Sequence, residues 1–136
     1  MIVLNNFKEE YRLEKPLRVI AVGSGRGLYI PRTIVNNFFP KEKYFFPLAV
    51  SHQEKVKIGL FFKKPNEYEG RVYHVYRLER KEGKLKDRKE YVTYLPIPKT
   101  LYQYLKSCSS KKEYVSVSIG YAGNSKLILL EDYDGR

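Results

Sequence analysis

Val22-Gly23-Ser24-Gly25-Arg26-Gly27-Leu28-Tyr29-Ile30-Pro31-Arg32-Thr33 holds four structural instructions in one short run. A strand ends, glycines turn the chain, a second strand follows, and a proline opens a helix. Gly23, Gly25 and Gly27 accept the positive φ angles of a tight reversal, so a hairpin turn is expected here. Leu28 to Ile30 is short, apolar and partly β-branched, which suits a strand. Pro31 fits the first helical turn, where its missing N–H removes no hydrogen bond. Ile34 and Phe38 then stand four residues apart and give a short helix one apolar face, until Pro40 ends it.

The end of this unit recurs. Leu95-Pro96-Ile97-Pro98-Lys99-Thr100-Leu101 repeats the Ile-Pro-x-Thr junction, and Leu101 and Leu105 keep the helical spacing. Tyr44 follows Pro31 by 13 residues and Tyr114 follows Pro98 by 16, but from there the copies agree, with 14 residues separating Tyr44 from Ile58 and Tyr114 from Ile128. A repeated tripeptide alone is weak. The same order of strand, strand, helix, strand and strand around it argues for one supersecondary unit written twice.

Taken along the chain, residues 1–14 start apolar and become charged, an extension expected to form a strand or short helix, and Lys15-Pro16 stops it. Residues 17–22 form the first strand of unit one. Residues 44–50 form its third, with Pro47 pointing to an edge or bulge, and 55–62 its fourth. Lys63 to Asn66 is the junction. In unit two, strands are expected over 71–78, 90–95, 113–119 and 126–130, with a helix from Pro98 to about Lys106. The expected division is an N-terminal extension 1–16, unit one 17–64 and unit two 70–131, together one compact and mostly β domain with two short helices.

Composition narrows the function classes. Lys and Arg number 26 against 15 Asp and Glu, leaving +11, an excess that favours an anionic partner, nucleic acid above all. A Lys-, Glu- and Tyr-rich surface of the hyperthermophilic kind, as an archaeal protein or its virus would carry, accounts for abundant charge but not for its sign. No apolar run approaches the roughly 20 residues of a membrane span, and the N-terminus lacks the pattern of a secretion signal. A single cysteine, Cys108, allows no internal disulfide, so a reducing cytoplasm (the host's, if the protein is viral) is the expected location.

The residues 19–33 and 44–62, and again 95–101 and 114–130, resemble the SpoVT–AbrB swapped-hairpin family, which includes transition-state regulators and MazE-type antitoxins. Members of that family carry one copy and dimerise by interleaving hairpins. The resemblance therefore implies tandem β-β-α-β-β swapped-hairpin units forming a pseudo-two-fold barrel within one chain, as a monomeric pseudo-dimer or a homodimer. It further implies binding of double-stranded DNA, as a transcriptional regulator, through basic residues on the first two strands of each copy. By position these are Arg18, Arg26 and Arg32 in unit one, and Arg77, Arg88, Lys89 and Lys99 in unit two, with Arg80, Lys81, Lys84 and Lys86 in the connection. From Arg77 to Lys89 seven cations face three anions. Two features depart from the family pattern: the family often has Gly then Arg four residues before the proline, whereas here Arg26 precedes Gly27, and unit two has a long charged loop where unit one has a compact turn.

Other chemistry finds little support. Gly23-x-Gly25-x-Gly27 is not the Gly-x-Gly-x-x-Gly of a dinucleotide site, and no Walker Gly-Lys-Ser/Thr occurs, so no cofactor is expected. His52, His74 and Cys108 sit in separate segments without metal-ligand spacing, so neither a metal site nor a Cys–His nucleophile is expected, and Glu131, Asp132 and Asp134 suit a solvated terminus. The protein is therefore not expected to be an enzyme. The alternative is a protein-binding module, antitoxin-like or virus-encoded, that uses edge strands or residues 1–14.

Overall fold

A computed structural model describes residues 1–80, 90–105 and 113–133, with backbone alone at 79, 80, 90 and 91. The elements are β1 (Ile2–Val3), β2 (Phe7–Arg12), β3 (Leu17–Val22), β4 (Gly25–Ile30), α1 (Arg32–Phe38), β5 (Tyr44–His52) and β6 (Lys55–Phe61). They continue as β7 (Tyr73–His74), β8 (Tyr76–Arg80), β9 (Glu90–Ile97), α2 (Lys99–Tyr102), β10 (Tyr114–Ala122) and β11 (Ser125–Asp132). The protein is mostly β. Its strands form a mixed sheet in the order β1-β5-β6-β11-β10-β3-β4-β9-β8, with β2 also on β10 and β7 on β5. Every pairing is antiparallel except β1 with β5.

Each expected strand pair forms, and in three of the hairpins the described turn residues explain why. Gly23 adopts a φ of +60° between β3 and β4, while Gly123 adopts +62° between β10 and β11. The β5–β6 turn instead places Gln53 and Glu54 at φ 53° and 63°, left-handed values that side-chain-bearing residues seldom take. Gly25 and Gly27, expected to turn, lie in β4 without positive φ. Gly27 is needed for another reason. A Cβ there would stand 2.3 Å from the Leu95 carbonyl oxygen and 2.7 Å from the Tyr94 ring. The residue lets β9 and the Tyr94 side chain approach closely.

The two prolines stand just before their helices, at the N-cap rather than in the first turn. Pro31 (φ −56°, ψ 140°) and Pro98 (φ −59°, ψ 138°) have the same backbone shape. In both cases the carbonyl accepts the N–H three residues on, from Ile34 and Leu101, at 3.0 Å. The helix after Pro98 is shorter than expected, four residues followed by a turn. The strand expected over 71–78 is divided at Val75, whose N–H leaves the strand to bond the Lys43 carbonyl.

Two apolar clusters sandwich the central strands. Alternate residues of β6 and β11 serve each: Ile58, Leu60, Ile128 and Leu130 join α1 and the β3-β4-β9 strands around Leu28, Leu95 and Phe45, while Phe61, Leu127 and Leu129 face Leu4 and Val50. Burial on both faces is why β6 and β11 read as continuous apolar runs. The N-terminal extension supplies the cover for the second face. Ile2 pairs with Val50 of β5, and Phe7 to Arg12 pair along Ser118 to Ala122 of β10, so one segment covers stretches of two strand edges.

This docking depends on Gly120. Its Cβ would lie 2.2 Å from the Lys8 carbonyl oxygen, where the β2–β10 register shifts. Gly120→Ala is therefore expected to lift β2 off the sheet, at a cost of about 1–3 kcal/mol. Amide exchange should rise across residues 7–12 while β4 and β9 stay protected. Unchanged exchange in 7–12 would show that the close approach is not needed.

Candidate nucleic-acid interface

Hairpins β3–β4 and β8–β9 lie side by side through β4 and β9, making one four-stranded surface from distant parts of the chain. Opposed residues share a face, and alternate residues change face. Leu28 and Leu95 oppose each other and point into the main core. Tyr29 opposes Tyr94, and Tyr76 opposes Tyr94 from the far side, so three tyrosines cross β4, β9 and β8 on the outer face. The Tyr29 and Tyr94 rings are 5.3 Å apart, and burial, helped by Tyr29, raises the Tyr94 phenol above its ordinary pKa. Around this row the outer face is apolar, with Val22 (38% exposed), Tyr76 (46%) and Leu78 (38%) open to solvent.

The candidate cations do not gather on that face. Arg18, exposed in β3, shares the face of Ile20 and Val22. Arg26 opposes Ala21 and Ile97, which places it on the inner side, where it forms an ion pair with Glu113. Arg77 opposes Thr93 on the same inner side, and its guanidinium donates to the Pro40 carbonyl just beyond α1. Lys126 donates to the Phe38 carbonyl, so one cation meets the carbonyl end of α1 and the other the chain just beyond it. Arg32 and Lys99 are exposed and follow the two N-cap prolines. Arg80 closes β8 opposite Glu90. Lys81, Lys84, Lys86, Arg88, Lys89 and Cys108 lie outside the described residues.

Register thus separates the cations of the first strands, so Arg18 does not share a face with Arg26 and Arg77. Arg26 and Arg77 look toward the helix side, and Arg18 looks away from it. The structure joins Arg32 and Arg77 to residues that the sequence did not single out. Arg32, Asn36, Arg77 and Thr93 line one cleft beside α1, and Lys41 and Lys43 line its neighbour. Nothing local marks Asn36 or Thr93, because their meeting depends on β9 packing against α1.

A second polar cluster lies under the N-terminal extension. Lys57, 1% exposed, donates to His52 Nδ1 at 3.0 Å and stands 3.4 Å from Glu131. The His52 ring also meets the edge of Phe7. Burial first, and then the Lys57 charge, hold His52 below its ordinary pKa. Among the described residues no group of three metal-ligating side chains occurs, and no helix is long and apolar enough to cross a membrane. Compared with family models, curated proteins and solved structures, the chain matches none.

Proposed function

We propose that the chain is a pair of tandem swapped-hairpin units closed into a pseudo-two-fold barrel, and that it binds double-stranded DNA as a transcriptional regulator. The observation that carries this reading is the register between the halves. Leu28, two residues before Ile30, pairs with Leu95, two residues before Ile97, so the repeated position meets its own counterpart. The same holds for Gly59, which follows Ile58, and Leu129, which follows Ile128. At the flanks, Tyr44 pairs with His74 and Tyr114 with Arg18, each beside one backbone bond, Val75 to Lys43 and Val19 to Glu113. A two-fold relation accounts for all four pairings. A single unit of this size buries too little surface to stand alone, which is why the halves interleave.

In this arrangement the β3–β4 turn and the Arg80 and Glu90 ends of β8 and β9 lie at opposite ends of the four-stranded surface. Seven residue steps along β9, from Ile97 opposite Arg26 to Glu90 opposite Arg80, separate the ends by roughly 24 Å. That span fits within one duplex turn of roughly 34 Å, so in this reading the two ends reach the same DNA. Phosphate neutralisation supplies affinity, and the salt dependence follows from counterion release.

A mobility shift with a random 30-bp duplex tests the reading. Complex is expected at 50 mM salt, with affinity falling roughly a thousandfold by 200 mM if about six phosphates are neutralised. The double variant R32E/K99E, at equivalent places in the two units, should bind at least tenfold more weakly. No complex at 50 mM salt would end the proposal. The exposed Val22, Tyr76 and Leu78 favour a second reading, a protein-binding module. A protein complex that survives high salt and is lost in Leu78→Lys would support that reading instead.

A further inference from the structure

Two clefts lie beside α1 and share Arg77. The smaller, about 240 Å³, is lined by Arg32, Asn36, Arg77 and Thr93 together with Val35. The wider, about 590 Å³, is reached past Lys41 and Lys43, with Glu42 the acidic side chain on its wall. Among the described residues, no carboxylate lies within ion-pair distance of Arg32, Arg77, Lys41 or Lys43. Arg77 is anchored through its bond to the Pro40 carbonyl, which holds its guanidinium where it lines both clefts. A planar fork fixed in place loses little freedom when it meets a tetrahedral anion.

The other half of the chain provides an internal comparison. In β8–β9 the opposed pair is Arg77 and Thr93, whereas in β3–β4 it is Ala21 and Arg26. There Arg26 is neutralised by Glu113. Positive charge is thus cancelled at one of the two related places and left open at the other.

We infer that the cleft between α1 and β8 binds one phosphoryl group, gripped by Arg32 and Arg77, with the Asn36 amide and Thr93 hydroxyl as neutral donors. Two guanidiniums supply the charge-assisted bonds that favour phosphate over carboxylate-sized neutral ligands. The phosphoryl group comes from a nucleic-acid backbone or from a free nucleotide, and the site does not require the duplex reading above to hold.

The test is an amide and arginine side-chain NMR titration of the full chain with inorganic phosphate, with adenosine monophosphate and with a 15-bp duplex. Saturable shifts confined to Arg32, Asn36, Arg77 and Thr93 are expected with phosphate or the mononucleotide. Arg32→Gln should weaken binding roughly tenfold, the loss of one charge-assisted bond, and Thr93→Val by a smaller factor. Arg18→Gln, on the opposite sheet face, should leave it unchanged. Tight binding of the mononucleotide assigns a free nucleotide, and preferential binding of the duplex assigns backbone phosphate. Saturation by phosphate without duplex binding upholds the cleft and rejects the duplex reading. Absence of saturable shifts, or equal weakening by Arg18→Gln, overturns the inference even if the duplex binds.

Discussion

Leu28→Ala and Leu95→Ala are each expected to destabilise the protein by about 3–5 kcal/mol, enough to remove much of a typical folding free energy. Both side chains are fully buried and oppose one another at the centre of β4–β9, inside the main apolar cluster. Truncation removes transfer energy and leaves a cavity that neighbours on both strands cannot fill. On the proposed two-fold relation between the units, the two costs should agree within about 1 kcal/mol. Because they share one cavity, the double variant should depart from additivity by about 0.5–3 kcal/mol. Denaturant unfolding of the four proteins measures all three quantities. A large cost at Leu28 beside a small one at Leu95 would contradict the two-fold relation, since an isolated strand pairing imposes no such equality.

Local chemistry made much of the fold legible. Gly23 and Gly123 needed left-handed backbone, Pro31 and Pro98 started helices, and the Tyr44–Ile58 and Tyr114–Ile128 spacings became matching hairpins. The N-terminal extension was hidden because Phe7–Arg12 carries charges along a strand whose partner lies more than a hundred residues away. Lys57 was obscured in a related way. The run Lys55-Val56-Lys57-Ile58 suggests lysines facing solvent, yet Val56 is 39% exposed and Lys57 is buried. The second apolar cluster lies over the Lys57 face, and only the fold reveals that layer.

The candidate interface was legible as composition but not as a surface. Clustered cations are visible in any sequence, but their faces depend on strand parity. The β3–β4 turn pairs Ala21 with Arg26, and this puts Arg26 on the face that Arg18 does not share. One residue more in the turn would have reversed that outcome. The tyrosine row was equally concealed, since Tyr29, Tyr76 and Tyr94 become neighbours only through two inter-strand registers.

The cluster around Lys57 leads to the second large effect. Glu131→Gln should cost roughly 3 kcal/mol, the low end for breaking a buried pair because Glu131 itself is partly exposed. Lys57→Met should be nearly neutral, since it removes the charge and leaves a side chain of similar volume against Leu4 and Val50. The ordering matters more than the sizes: loss of the anion harms the fold, and loss of the cation does not. His52 adds a pH dependence. A lysine ammonium only donates, so the 3.0 Å contact requires a bare, neutral His52 Nδ1. Burial and Lys57 lower the folded-state pKa, with Arg12 acting in the same direction and Glu131 and Glu9 opposing it. The unfolded chain therefore takes up the proton first. Stability from this group is present above about pH 6.5 and declines as pH falls from there through the lower folded-state value. In Lys57→Met the decline should shrink, because burial and Arg12 then disfavour the imidazolium without the lysine charge, and Glu131 and Glu9 still favour it. Unfolding curves from pH 7.5 to 5 for the wild type, Lys57→Met and His52→Gln test this. A wild-type profile as flat as that of His52→Gln over this range would refute the coupling.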